Sequence, residues 1–169
     1  MNKKIIAYIF LFIFSIILRI LIGEYVYING ITPNILLVTI VIISVIVPHG
    51  WLSFIYALFC GILNDVLYSK QIGYHIIIFI GLASVITYAR SRLMKNNILF
   101  CLLFVAVATI LYELFSYFLF GYFTMGVSFV MLMNRTVLPG LSGNILLTPF
   151  VYIIYNRLFV FLSDEKGIV

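Results

Sequence analysis

The sequence predicts an all-α integral membrane protein, a bundle of about six transmembrane helices. Three observations predict it. Of 169 residues, 65% are apolar and only 9% charged, and the mean hydropathy is strongly positive. A soluble domain carries about 25% charged residues to cover its surface, so this chain uses lipid as its solvent. The apolar residues also fall into runs near the length that crosses a bilayer, about 20 residues of helix for a core of roughly 30 Å. Finally, the basic residues gather between the runs and form no stripe with interleaved aromatics. The net charge of +5 therefore reads as a topology signal, and a nucleic-acid partner is not expected. One domain's worth of chain is present, so residues 1–169 are expected to form a single polytopic membrane domain.

Lys3 and Lys4 precede an apolar run from Ile5 that continues past Arg19 to about Ile28. No small-residue cleavage site follows it, so an uncleaved first helix is expected. Gly30–Asn34 makes a turn, with Pro33 placed to open a second helix. The second run, Ile35–Val47, is bounded by Pro48-His49-Gly50 and is too short to cross alone. It is expected to start earlier, tilt or dip part way. Trp51–Tyr68 is the third helix, with Trp51 as an interfacial anchor. A tight turn at Ser69–Ile72 leads to a fourth helix, Gly73–Ala89, and then to a basic loop, Arg90–Asn97. Ile98–Phe120 is the fifth helix, followed by a connection, Gly121–Ser128. Residues 129–140 are too apolar to float in water and too interrupted by Asn134, Arg135 and Pro139 to span, so a surface-lying or re-entrant piece is expected. Ser142–Leu162 closes the bundle, with Pro149 tolerated inside it, and a short charged tail ends the chain.

With six helices, Lys3, Lys4, Arg90, Arg92, Lys95, Arg157 and Lys166 share one side, against Lys70 and Arg135 on the other. This excess places both termini in the cytoplasm, with anionic lipid as partner for the loop cations.

Three of the charges within predicted spans stand out: Arg19, Asp65 and Glu113. Each lies past the middle of a helix running outward, so all three belong to the outer half of the bilayer. An unpaired charge there is expensive, and a polar layer is expected in which Arg19 pairs with Asp65, Glu113 or both. Asp65 carries an added penalty, because it faces the negative end of its own helix. It also ends a stripe of small residues at i, i+4 spacing, Ser53, Ala57 and Gly61, and Gly73 opens the following helix. Such a face admits another helix closely. Ser15, Arg19 and Gly23 share a face, as do Thr109, Glu113 and Ser116 or Tyr117. Asn144, Thr148, Tyr152 and Asn156 repeat the pattern on the last helix. These groups read first as packing contacts of the fold. A ligand or proton site, a partner's helix, and snorkelling of Arg19 or Asp65 to the interface are the alternatives.

The inventory for catalysis is thin. Gly140-Leu141-Ser142-Gly143 matches the pattern around the serine of rhomboid-type intramembrane proteases, but the only histidines, His49 and His75, lie upstream, where that family's catalytic histidine follows the serine. A glycine-rich turn into the last helix is the better account. His75, one turn into the fourth helix, is placed to hydrogen-bond Asp65 across the tight turn. Cys60 and Cys101 sit inside apolar runs as inert thiols. No enzyme activity, cofactor or metal is expected.

The whole chain resembles the rod shape-determining protein MreD family. The likeness rests on its length, its six helices and three local patterns. These are Gly61-x-x-x-Asp65 followed by a short turn to Gly73, Pro139 followed by Asn144-Ile145-Leu146-Leu147-Thr148-Pro149, and the early Pro33-Asn34-Ile35-Leu36-Leu37. Asn64 stands where the family usually has an apolar residue, and Lys70-Gln71 makes the turn more polar than expected. The resemblance implies a non-enzymatic scaffold of the bacterial cell-elongation machinery in the cytoplasmic (inner) membrane. Such a scaffold binds MreC and links MreB filaments to RodA and its transpeptidase partner. The family's fold is similar to the substrate-binding subunits of energy-coupling-factor transporters. This supplies the alternative, a membrane subunit that binds a small ligand in an outward-facing pocket.

Overall fold

The computed structural model describes residues 3–25, 32–47, 50–68, 73–93, 97–119, 126 and 128–163. Every element in them is helical: α1 (Lys3–Tyr25), α2 (Ile35–Ile46), α3 (Gly50–Tyr68), α4 (Tyr74–Leu93), α5 (Ile98–Leu119), α6 (Phe129–Leu132) and α7 (Leu138–Ser163). A π-helical turn, Met133–Val137, joins α6 to α7, so 129–163 is one helical rod and the bundle has six. The turns expected at 48–49 and 69–72, most of 121–128 and the tail lie outside the described residues.

The short second run is the centre of the molecule. All twelve residues of α2 are buried, and α1, α3, α4, α5 and α7 each pack against it. Those five form a ring in the order α1, α3, α4, α5, α7, closed by α7 on α1. A helix that is apolar on every face is a buried helix, and α2 needs no bilayer-spanning length because protein surrounds it. At 1.5 Å per residue it is about 18 Å long, well short of the hydrocarbon core. The expected tilt or earlier start gives way to a helix that begins at Ile35 and ends at Ile46.

Both ends of α2 are capped, one locally and one from another helix. At its start the Asn34 side chain accepts from the Leu37 N–H at 3.2 Å, the usual N-cap contact. At its end the Arg90 guanidinium donates to the Val47 carbonyl, a cation at the negative end of the helix. That contact corrects one expectation. Arg90–Leu93, placed in a loop from sequence, is the last turn of α4, where basic residues complement the dipole.

A second correction concerns residues 129–140, which form no separate piece and run into α7 as continuous helix. Pro139 has no N–H, and its ring clashes with a carbonyl one turn back in a regular helix. The π turn absorbs that conflict by widening the helix: the Leu138 N–H bonds the Met133 carbonyl, five residues back. Asn134 and Arg135 point outward from it.

The α3–α4 hairpin is the tightest pairing. A Cβ on Gly61 would lie 2.6 Å from the Ile76 Cα, and a Cβ on Gly50 would lie 2.8 Å from the Thr87 methyl group. The two approaches are eleven residues apart on each helix, about three turns, so the pair runs in one antiparallel register.

The polarity of the whole is inverted. Asp65, His75, Asn144 and Thr148 are buried, while Val66, Ile77, Leu99, Phe118, Phe150 and Phe161 are exposed. Among the described residues, four helices are long and apolar enough to cross a membrane. The solvent such a surface fits is lipid.

Candidate functional site

Asp65 sits at the last turn of α3, 1% exposed, directly against the start of α4. One carboxylate oxygen accepts from the Gly73 N–H at 2.8 Å. The other accepts from the His75 backbone N–H at 3.0 Å and from its ring Nδ1–H at 2.7 Å. Gly73 makes this possible by taking φ +100°, a left-handed conformation that suits glycine. The carboxylate thus caps α4 from a neighbouring helix. The unfavourable field expected from the end of α3 is offset by the positive end of α4.

With Nδ1 donating to Asp65, the neutral imidazole accepts at Nε2 from the Tyr112 hydroxyl, 2.9 Å away on α5. The His75 and Tyr112 rings stack at 5.8 Å between centroids, and the Tyr74 hydroxyl bonds Ser116 beside them. These contacts bridge α4 and α5, which otherwise touch little.

Arg19 does not pair with Asp65, whose oxygens are already occupied. Its Nη1 donates to the Pro33 carbonyl at 3.2 Å, next to the start of α2. A guanidinium donates to backbone carbonyls as well as to carboxylates, and sequence spacing does not separate the two. Glu113 lies apart as well, with a carboxylate oxygen 3.7 Å from where a Cβ on Gly140 would stand.

A second network closes the same end of the bundle. The Asn34 N–H donates to Asn144 Oδ1 at 2.8 Å, and Asn144 Nδ2 donates to the Thr109 hydroxyl at 2.9 Å. One amide on α7 therefore ties the cap of α2 to α5. Thr148 bonds the Asn144 carbonyl, Tyr152 is buried and Asn156 is half-buried. Asn144→Leu, which fills similar space without polar atoms, is expected to lower stability by about 1–3 kcal/mol, since it strands a donor and an acceptor. Thermal unfolding in detergent measures it. An unchanged midpoint would show that the network contributes nothing.

Sequence reasoning missed a third cluster. The Ser15 hydroxyl donates to the Leu11 carbonyl at 2.8 Å and meets the hydroxyls of Tyr56 and Tyr155. Tyr155 also donates to the Leu11 carbonyl at 3.2 Å. This joins α1, α3 and α7. The available signal was position: tyrosines favour membrane interfaces, and one at mid-span has to find an internal partner.

The small face of α3 is already covered. Ser53, Ala57 and Gly61 are buried, and the backbone of α4 lies against Gly61. Ser142 is exposed and donates to the Pro139 carbonyl at 2.9 Å, a local turn contact; both nitrogens of His75 are engaged elsewhere. Gly23, His49 and Lys70 fall among positions whose side chains are not described. Among the described residues, no three of His, Cys, Asp and Glu gather to hold a metal.

A bundle with an apolar exterior, whose inward polar groups bond mainly to one another and to backbone, defines a helical membrane protein built around interhelical hydrogen bonds. The chain belongs to the rod shape-determining protein MreD family, whose model matches residues 2–158. Searches among curated proteins and among solved structures return no match.

Proposed function

We propose that this rod-shape-determining membrane protein is a non-enzymatic scaffold, a single multi-pass domain of the bacterial cytoplasmic membrane. It binds MreC and helps couple MreB filaments to peptidoglycan synthesis by RodA and its transpeptidase partner. The observation that carries this reading is the family match across residues 2–158. The site chemistry supports it: the one histidine–carboxylate pair among the described residues is buried and engaged by Gly73 and Tyr112. The excess of basic residues on one side supports cytoplasmic termini. A central α2 with every residue buried favours the scaffold over a ligand-binding transporter subunit, which needs room within its bundle.

The test is purification of the tagged full-length chain from membranes in mild detergent, with MreC co-expressed. Stoichiometric recovery of MreC is expected. A tightly retained vitamin, with no MreC, would overturn the scaffold reading in favour of the transporter one.

A further inference from the structure

Hydroxyls inside this bundle generally bond a carbonyl of their own helix, as Ser15, Ser84, Thr109, Ser116 and Thr148 do. Ser44, Ser53 and Thr87 depart from that habit. Their hydroxyls are buried and have no hydrogen-bond partner among the described residues. Ser44 and Ser53 are 0% and 1% exposed, so neither reaches the surface to find one.

The helix registers bring the three to one level. The Thr87 methyl group lies against Gly50 at the start of α3, and Ser53 is one turn further along the same seam, on the face that carries Ala57 and Gly61. As the first and third of three successive antiparallel helices, α2 and α4 run in the same direction. Arg90 of α4 reaches the Val47 carbonyl at the end of α2. Ser44 and Thr87 each stand one turn before that contact, and the two helices pack together. Five residues of helix turn Ser44 about 140° round α2 from Thr39. Thr39 faces the hydroxyls of Tyr56 and Tyr155 on the α1 side, so Ser44 faces the α4 side.

Buried hydroxyls that protein leaves unsatisfied are costly, and a buried water is the common remedy. We propose that Ser44, Ser53 and Thr87 form the binding site of an internal water molecule that joins α2 to the α3–α4 hairpin. Three hydroxyls match the roughly three hydrogen bonds that a buried water makes. They offer no charge to hold a metal ion, and the Arg90 guanidinium one turn away disfavours a cation. The close approach of Gly50 to Thr87 leaves no room for a larger polar molecule. The water secures the end of α2, as Asn144 secures its start.

The test is a set of variants of the full-length chain in detergent, read by thermal unfolding. Ser44→Ala, Ser53→Ala and Thr87→Val are each expected to lower the melting temperature by about 2–4 °C, the shift that loss of one hydrogen bond gives in a chain of this length. Thr87→Val keeps the shape and removes the hydroxyl, whereas Thr87→Ser keeps the hydroxyl and is expected to lose less. Pairs of the three substitutions are expected to cost less than the sum of the single shifts, because one water serves all three groups. A high-resolution map is expected to show density within hydrogen-bond distance of the three oxygens, lost in the double variant Ser44→Ala with Ser53→Ala. Unchanged or raised melting temperatures would overturn the proposal, since the hydroxyls then have no bond to lose. Strictly additive losses would do so as well, by assigning each hydroxyl a separate protein acceptor. Equal losses in Thr87→Ser and Thr87→Val would trace the effect to packing, and a map with the three hydroxyls bonded to protein alone would also rule the site out.

Discussion

Gly61→Val is expected to abolish recovery of folded protein. The new Cβ would stand 2.6 Å from the Ile76 Cα and 2.8 Å from its backbone nitrogen, so no rotamer change relieves the contact and α3 and α4 have to separate. Overpacking against mobile side chains is worth about 1–3 kcal/mol, and a clash with helix backbone exceeds that range. Separation also draws Asp65 away from the start of α4, which adds to the loss. Gly61→Ala meets the same atoms and is expected to fail nearly as badly. Gly81→Ala is the matched control. A Cβ there meets nothing within 4 Å, and alanine suits a helix interior better than glycine by roughly 1 kcal/mol. Monodisperse yield on size exclusion and the melting temperature in detergent report all three. Recovery of well-folded Gly61→Val would show that the two helices do not meet at Gly61.

The second large effect belongs to Asp65. Asp65→Ala leaves the Gly73 and His75 backbone N–H groups and the His75 ring without their acceptor, in a site that water does not reach. Breaking a buried charged contact by removing one partner costs about 3–5 kcal/mol. Asp65→Asn keeps one oxygen for His75 but turns an amide donor toward the Gly73 N–H, so it is expected to fall between alanine and the native protein. His75→Ala loses the ring contacts and keeps both backbone contacts, so its effect is expected to be the smallest of the three. The double substitution Asp65→Ala with His75→Ala should then cost less than the two single changes together, since they share one hydrogen bond. Strict additivity would mean that the side-chain contact between Asp65 and His75 contributes nothing.

What the sequence discloses and what it conceals divide along physical lines. The membrane class was legible because composition reports the solvent directly. The small face of α3 was legible because spacing of four residues survives in any helix, and the meeting of Asp65 with His75 because only a short turn separates them. The central place of α2 was not. Leu and Ile suit a lipid-facing helix and a protein-enclosed helix equally, so hydropathy does not distinguish Ile35–Ile46 from a true span. Residues 129–140 misled for a different reason. Asn134, Arg135 and Pro139 each argue against a membrane span, and a π turn over Met133–Val137 carries the helix through to Pro139. Arg19 misled because charge arithmetic considers other charges and neglects carbonyls, and one of the acceptors it finds is the Pro33 oxygen. Of the candidate site, then, the residues were visible from sequence, whereas most of their partners depend on which helices become neighbours.

The enclosure of α2 also bears on how the protein is made. A twelve-residue helix is released into the membrane long before its surroundings exist, since Arg90, which meets its last carbonyl, is on α4, and Asn144, which holds the N–H of its N-cap Asn34, is on α7. Until α7 is inserted, the segment is too short to be held as a span and has no finished cavity to occupy. Assembly of this protein is therefore expected to be non-local in order: its innermost piece is synthesised second, and its contacts are completed only with α7. A chain truncated before Asn144 is expected to reach the membrane yet remain protease-sensitive throughout, with its axis unfilled.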